Sequence, residues 1–479
     1  MKFSGYAPDA SPTDVGVIYD CEMLEPSARG MRSAPSAAVT DLPALAADCR
    51  GATLAVHVDG SRRLIAGTQT ALLEAASGTW SGVSGATYTG GTDARWSFAQ
   101  FGDVTIATNG VDSPQSSTSG AFATATGMPK AKLVTTASGF VMAANITDAS
   151  YQHADGWWCS ALYDHTSWTP AIATQAARGR LLDAPGAINA LVALGSGVVA
   201  FKDRSMFHGS YVGPDVIWAW SRVPGEVGAA AQSGVVSDGT ALYWWGGDDF
   251  YRYDGSRPVP IGAAVKRWFA ASAAQQYLFK MLGHYDRASG VVRWYFVGTG
   301  DSAPAKCLTL HVRTGRWGRA DRAVEAVVEY VTPSMTYDSA GVLTGVTYDS
   351  GAFSQSYDSP FWQSLSEHPA VFDSAHTLRS LTGVSGASSL TTGDVGDDDR
   401  YTLLRRVRPR YSIAPDTAQM TAYLSHGSGD SVIEGDTMLA DDGKFDPLQS
   451  ARWHRLRFNW TGDVETSGIS LELQPEGDA

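Results

Sequence analysis

The chain has 479 residues, of which 44% are hydrophobic and 10% aromatic, and its formal net charge at pH 7 is −13. This aromatic content excludes a disordered chain, and the length suffices for about three domains or for one large β architecture with an appendage. The acidic balance, without a long basic run, argues against tight binding of nucleic acid. The 51 glycines and 21 prolines favour short strands over long helices.

Targeting and redox signals are weak. No run of about 18 apolar residues occurs, which argues against a membrane-spanning helix. Prolines and aspartates occupy the positions where a signal peptide would be apolar, so the chain is expected to stay in the cytoplasm where it is made.

The cysteines are spaced for neither a disulfide framework nor a zinc site, and we expect reduced, buried thiols. These cysteines are Cys21, Cys49, Cys159 and Cys307.

Residues 1–50 lack hydrophobic alternation and contain five prolines, the first at Pro8 and the last at Pro43. This pattern predicts an extended N-terminal arm rather than a packed unit. Such a segment gains stability by docking on a neighbour or on the parent domain, and it is a candidate subunit contact. Deleting residues 1–50 is then expected to leave the rest folded and to impair assembly.

Hairpins are the recurring unit from residue 51 onward. The paired segments are 54–58 with 63–66, 96–100 with 104–108, 133–136 with 140–144, 198–201 with 206–208, 242–245 with 250–253, and 291–297 with 307–312, and a last hairpin centres on Ser339-Ala340. Most centres lie roughly 40 to 50 residues apart, the length of one four-stranded propeller blade. An all-β fold with a β-propeller of six to eight blades over residues 51–360 is therefore predicted. Two consecutive β-sandwiches are the alternative.

Two segments interrupt this pattern. A tryptophan-rich stretch, 156–170, falls in the longest gap between hairpins, and with its Trp157 and Trp158 it is a second candidate subunit contact. Residues 263–282 show helical spacing of apolar residues, with Gly283 as a stop, and predict one helix between blades.

A small antiparallel β domain is predicted for residues 361–479, because the composition changes near Trp362. Residues 452–460 alternate cleanly, which places His454 on one face and Arg455 and Arg457 on the other. Arg406, Arg408 and Arg410 share one face of another strand. These arginines are candidate assembly or channel-facing residues, although a solvated sheet face neutralised by aspartates 397 to 399 explains them equally simply.

Catalytic and cofactor motifs are weak. Residues 195–200 match a loose dinucleotide pattern but lead into a hairpin turn instead of a helix. Asp248-Asp249 beside Trp244-Trp245 could serve a glycosidase, yet adjacent aspartates in such a turn usually bond backbone amides. Four acidic residues could hold calcium but miss the spacing of the known loop. They are Asp436, Asp441, Asp442 and Asp446.

Several segments together resemble one protein family. They are GYAPD (5–9), YDCEMLEP (19–26), GMRSAP (30–35), GTQTALLE (67–74) leading to Thr79-Trp80, WSFAQFGD (96–103), ATNGVDSPQ (107–115), and ARWHRLRF (451–458) with Gly468-Ile469. The chain resembles the tail nozzle, or tail hub, proteins of short-tailed, podovirus-type bacteriophages.

The resemblance implies a structural virion protein, made in the host bacterial cytoplasm, without catalytic residues or cofactors. It implies a propeller-containing subunit of a homohexameric ring that meets the tail adaptor ring and tail fibre, spike or needle proteins. Double-stranded DNA would pass through this ring without tight binding, which a net negative wall favours. A glycan-binding or glycan-cleaving propeller, such as a receptor-binding tail component, is the alternative.

Overall fold

Residues 1–50 form short strands that pair with distant parts of the chain. The computed structural model describes residues 1–331, 367–427 and 431–478. The N-terminal strands are β1 (Gly5–Tyr6), β2 (Val17–Glu22), β3 (Leu24–Pro26), β4 (Met31–Ser33) and β5 (Ser36–Val39).

Five four-stranded blades follow in chain order. Blade 1 contains β6 (Ala52–Val56), β7 (Arg62–Gly67), β8 (Leu72–Ala76) and β9 (Thr79–Gly82); blade 2 contains β10 (Ser97–Phe101), β11 (Val104–Thr108), β12 (Gln115–Ser117) and β13 (Ala123–Thr124). Blade 3 contains β14 (Ala131–Ala137), β15 (Phe140–Ile146), β16 (His153–Cys159) and β17 (Ala177–Arg180); blade 4 contains β18 (Ala190–Leu194), β19 (Gly197–Phe201), β20 (Met206–Gly213) and β21 (Ile217–Arg222). Blade 5 contains β22 (Val236–Ser237), β23 (Leu242–Trp245), β24 (Phe250–Tyr253) and β25 (Val259–Pro260), and a 3-10 turn, Gln232–Gly234, precedes it.

The excursion after blade 5 is less helical than predicted. Helix α1 covers only Lys266–Ser272, and a 3-10 turn follows at Gln275–Lys280. Ala273 is extended and forms a bridge to Gly298 of the next blade. This tertiary pairing interrupts the helical pattern, so the prediction of one helix over 263–282 is right in place and wrong in length.

The last two blades follow this excursion, and blade 7 includes a strand from the N-terminal segment. Blade 6 contains β26 (Leu282–Asp286), β27 (Val291–Val297), β28 (Pro304–His311) and β29 (Arg316–Arg319). Blade 7 contains β30 (Ala326–Val331), β31 (Glu367–Phe372) and β32 (Leu378–Gly383), and the N-terminal strand β5 completes it. The first strands of successive blades contact each other, directly or through the Gln232–Gly234 turn, and β30 contacts β6.

The fold is therefore a β-propeller, as predicted. Six blades are separate four-stranded sheets, and the seventh four-stranded unit, blade 6, continues into a larger sheet. All predicted hairpins of the described residues are present, and in one of them Ser138 and Gly139 have φ values of 49° and 80°, as a type I′ turn requires. The hairpin predicted at Ser339-Ala340 lies outside the described residues. The propeller extends beyond the predicted limit of residue 360, because β31 and β32 of the predicted C-terminal domain belong to blade 7.

The C-terminal residues form two further sheets with the N-terminal strands. Their strands are β33 (Ser388–Thr392), β34 (Val395–Gly396), β35 (Arg400–Ile413), β36 (Thr417–Ser425), β37 (Ile433–Leu439), β38 (Gln449–Ala451), β39 (Trp453–Thr461) and β40 (Glu465–Asp478). A seven-stranded sheet has the order β1-β2-β33-β39-β36-β37, with β34 beside β39. A nine-stranded sheet extends blade 6 in the order β26-β27-β28-β29-β3-β4-β40-β35-β38.

One continuous core joins blades 5 and 6 to both of these sheets. It includes Phe3 and Leu24 from the N-terminus, Trp294 from blade 6, and Phe458 from β39, all at most 2% exposed. Gly318 allows β3 to approach β29, because a Cβ atom there would lie 2.6 Å from the Leu24 carbonyl oxygen. Residues 1–50 are not the extended, unpacked arm that the sequence predicted, since their strands join the propeller to the C-terminal strands and their side chains enter the core.

Candidate assembly surfaces

Trp157 and Trp158 are core residues of blade 3. Their exposures are 6% and 8%, and they lie on opposite faces of β16. Trp157 packs against Trp220 of blade 4, and Trp158 donates its ring N–H to the Trp168 carbonyl oxygen at 2.7 Å. Neither side chain is free to form a subunit contact, so the sequence-based assignment of these two residues as surface contacts is corrected.

The exposed part of the tryptophan-rich segment is the loop 160–176. Tyr163 is 79% exposed and Ile172 is 67% exposed. Beside this loop, the exposed Arg178 guanidinium lies 4.4 Å from the Tyr151 ring centroid and 4.7 Å from that of Trp158. The loop stays a candidate contact through these residues rather than through the two predicted tryptophans.

Strand β35 carries its arginines on an exposed face of the nine-stranded sheet, as the sequence predicted. Val407 and Pro409 point inward, whereas Arg408 and Arg410 are exposed. Arg406 is paired within the chain, because its Nε atom lies 2.8 Å from Asp446 and Nη1 lies 3.7 Å from Glu472.

Arg408 and Arg410 differ from Arg406 because their cross-strand neighbours are Ser470 and Gly468, which carry no charge. In the part of the chain that the structure describes, neither guanidinium has an ion-pair partner. A shallow hollow between Arg408, Ser470 and Glu472 opens beside them. Two unpaired guanidinium groups on an exposed sheet face are a suitable site for an external carboxylate or phosphate.

Sequence reasoning missed a third cation on this face. Lys2 forms a bridge to Gly468, whose other neighbour is Arg410, and residues directly opposite in a sheet point to the same side. Lys2 is exposed, while its neighbour Phe3 is buried. No local pattern signals this arrangement. We call Lys2, Arg408 and Arg410 the basic face.

The second arginine pair lies on a different sheet. Strand β39 alternates as predicted, with His454 buried and Arg455 and Arg457 on the outer side of the seven-stranded sheet. Arg455 makes two bonds to Asp394, at 2.8 and 2.9 Å. The structure therefore does not bring the two sets of arginines onto one surface.

Asp248 and Asp249 have different structural partners, and only Asp249 bonds a backbone amide, as the simpler reading of the sequence expected. Asp249 is buried, accepts the Gly262 N–H at 2.8 Å, and pairs with the Lys266 ammonium at 2.9 Å. Asp248 accepts the hydroxyl of Tyr251. The two carboxylates are thus engaged by separate partners, and no observation here favours a glycosidase.

Replacing Asp249 by alanine is expected to lower the free energy of unfolding by about 1 to 3 kcal/mol, because the buried Gly262 N–H and Lys266 lose their acceptor. Urea unfolding monitored by tryptophan fluorescence measures this effect. The matched control is Asp248→Ala, which removes an exposed carboxylate and should change the midpoint little. Equal effects of both substitutions would contradict the structural role of Asp249.

Other chemistry is sparse in residues 1–331, 367–427 and 431–478. No group of three or more histidine, cysteine or acidic side chains is arranged to hold a metal ion there.

All four cysteines are buried and unpaired, and burial raises the pKa of Cys49 and of Cys159 to about 12. Such thiols stay protonated and unreactive at neutral pH. The helices in these ranges are too short or too polar to cross a bilayer.

The chain is a β-propeller protein, and comparisons with known proteins add no family to this class. YCF48 bound to D1 peptide is 14% identical, with a TM-score of 0.36 over 59% of this chain and 88% of that one. The N-terminal domain of Nup159 is 9% identical, with a TM-score of 0.31 over 51% and 72%. A protein provisionally assigned as a 6-phosphogluconolactonase of Bacteroides uniformis is 13% identical, with a TM-score of 0.34 over 56% and 80%. No protein-family model matches, and no curated protein matches significantly.

Proposed function

We propose that this protein is a structural subunit of a homohexameric tail nozzle in a short-tailed bacteriophage. In this proposal it is made in the host cytoplasm and incorporated into the virion. There it meets the adaptor ring and the fibre, spike or needle proteins, and it surrounds the channel through which the genome is ejected. The role is architectural, and no catalytic residue or cofactor is assigned to it.

The observation that carries the proposal is the basic face on an otherwise acidic chain. Arg408 and Arg410 are exposed and lie opposite uncharged residues, and within the described ranges neither charge is paired. Unpaired charges in a rigid sheet favour a defined protein contact over a solvated surface, because a complementary partner gains charge-assisted bonds without ordering the sheet. The resemblance of the sequence to tail nozzle proteins is the reason for proposing that this contact builds a homohexameric ring.

The net charge of −13 supports passage of DNA rather than its retention. Lysine and arginine side chains that neutralise phosphates bind DNA by releasing counterions, whereas a negative wall repels the phosphate backbone. A ring of six such chains would be strongly acidic overall, which disfavours tight retention of the duplex.

The mass of the native assembly tests this function. Sedimentation velocity and native mass spectrometry of the purified chain, alone and with a candidate adaptor ring, are expected to show six copies per particle, and class averages of the particle are expected to show sixfold symmetry. A chain that stays monomeric under both conditions and depolymerises a polysaccharide would contradict the nozzle and favour the glycan-directed alternative.

A further inference from the structure

The C-terminal sheets contain a second exposed feature, the free edge of the seven-stranded sheet. Among the described residues, β37 pairs only with β36 and ends the sheet. The strand carries Glu434 and Asp436, both exposed, and Ile433 and Leu439, which are 49% and 67% exposed. We call β37 with these four residues the acidic edge.

The outward N–H and C=O groups of an edge strand can pair with another strand, and natural proteins normally block such edges with charged side chains, proline or a bulge. Strand β37 has both a bulge, where its register with β36 shifts, and two exposed carboxylates, so it offers charged side chains to a partner rather than a regular backbone edge. Leu448, 65% exposed, precedes β38, whose residue Gln449 donates to the Tyr423 carbonyl oxygen of β36. This bond brings β38 next to the seven-stranded sheet.

The acidic edge and the basic face are complementary but do not meet within one chain. The edge belongs to the seven-stranded sheet, and the basic face is the outer surface of the nine-stranded sheet. In the ranges that the structure covers, no ion pair joins Glu434 or Asp436 to any cation. Both carboxylates are therefore available to a cationic partner outside the described part of the chain.

We propose that the basic face of one copy binds the acidic edge of a second copy. This inference rests on the proposed ring and names the contact that builds it. Because the two surfaces differ, the contact is heterologous, and repetition of such a contact produces a closed ring when the rotation between copies permits closure. The carboxylates of Glu434 and Asp436 accept bonds from Arg408 and Arg410.

A charge exchange tests this pairing. One variant carries Arg408→Glu and Arg410→Glu, and the other carries Glu434→Lys and Asp436→Lys. In each variant alone, both contact surfaces have the same sign, and juxtaposed like charges should weaken assembly on the order of 100-fold or more. In an equal mixture every basic surface can meet an acidic one, so assembly should return to nearly the wild-type concentration range in sedimentation velocity.

The control that matches the Arg408→Glu, Arg410→Glu variant is Arg204→Glu with Arg257→Glu. It makes the same charge change on exposed residues of blades 4 and 5. It is expected to assemble as the wild type does, and circular dichroism verifies the fold of each variant. If the wild type forms rings and either charge variant forms them equally well, this pairing is wrong and the nozzle proposal still stands. A wild-type chain that never forms rings would remove the nozzle proposal and this inference together.

A phosphate-binding role is the competing reading of the basic face. A 30-base-pair duplex at low salt serves as the probe. The pairing predicts that the Arg408→Glu, Arg410→Glu variant loses assembly without a change in DNA retention. Loss of DNA binding with unchanged assembly would overturn the pairing and assign the basic face to phosphates.

Discussion

Replacing Glu25 by alanine is expected to lower the free energy of unfolding by about 3 to 5 kcal/mol, because it leaves the buried Arg293 charge without its main partner. Arg293 lies on β27 of blade 6, and its Nε and Nη2 atoms are 2.6 and 2.8 Å from the two oxygens of Glu25 on β3. Both side chains are only 2% exposed. The pair therefore connects the N-terminal segment to the propeller in a place that water does not reach.

Thermal and urea unfolding measure this effect. The matched control is Arg252→Ala, which breaks the exposed pair with Asp254 and should leave the midpoint almost unchanged. Replacing both partners, as in Glu25→Gln with Arg293→Met, should recover part of the loss, since the buried guanidinium is removed while Asp286 loses its cationic partner. A Glu25→Ala variant with a wild-type midpoint would contradict the buried pair.

The same network gives stability a pH dependence. Burial alone would raise the pKa of Asp286, but the charge of Arg293 outweighs this effect and lowers the pKa to about 2. Burial would also raise the pKa of Glu25, and Arg293 again lowers it. A carboxyl group with a depressed pKa in the folded state stabilises the fold above its unfolded value of about 4, and this stabilisation is lost as pH falls toward 2. Asp286→Asn should therefore reduce the change in the free energy of unfolding between about pH 4 and about pH 2.

Deleting residues 1–50 is expected to prevent cooperative folding, contrary to the expectation from the sequence alone. The segment supplies β5, which completes blade 7, and β3 and β4, which join blade 6 to the C-terminal strands. It also supplies five large side chains to the common core, and each contributes about 1.5 to 3 kcal/mol. They are Phe3, Tyr6, Ile18, Leu24 and Met31. Their sum matches the total stability of a typical domain, about 5 to 15 kcal/mol.

Near-ultraviolet circular dichroism and solubility of the 51–479 chain measure this loss. Co-expression with residues 1–50 as a separate fragment should restore the signal, because the segment binds through packed strands. Within the full chain, Leu24→Ala should cost about 2 to 5 kcal/mol, whereas Val15→Ala, at a position 85% exposed, should cost little. Retention of a wild-type unfolding midpoint by the truncated protein would refute this role for the segment.

The local features of the fold could be predicted because their causes lie close together in the sequence. Turn residues such as Asp59-Gly60 and Ser138-Gly139 determine where hairpins form, and alternation in β35 and β39 determines which arginines face outward. The candidate assembly residues Arg408 and Arg410 were found in this way. Trp157 and Trp158 were misassigned, because adjacent tryptophans in a strand do not reveal that both faces of that strand are buried.

The sequence alone determined an all-β chain with repeated hairpins, an acidic surface and an outward row of arginines, since each follows from neighbouring residues. Only the tertiary structure decided that residues 1–50 are part of the core, that Lys2 joins Arg410 on one face, and that Arg406 is paired while Arg408 is not. These facts depend on contacts between residues hundreds of positions apart or on which residue lies across a sheet. Hydrophobic periodicity records the burial of a face but not the identity of the strand that covers it.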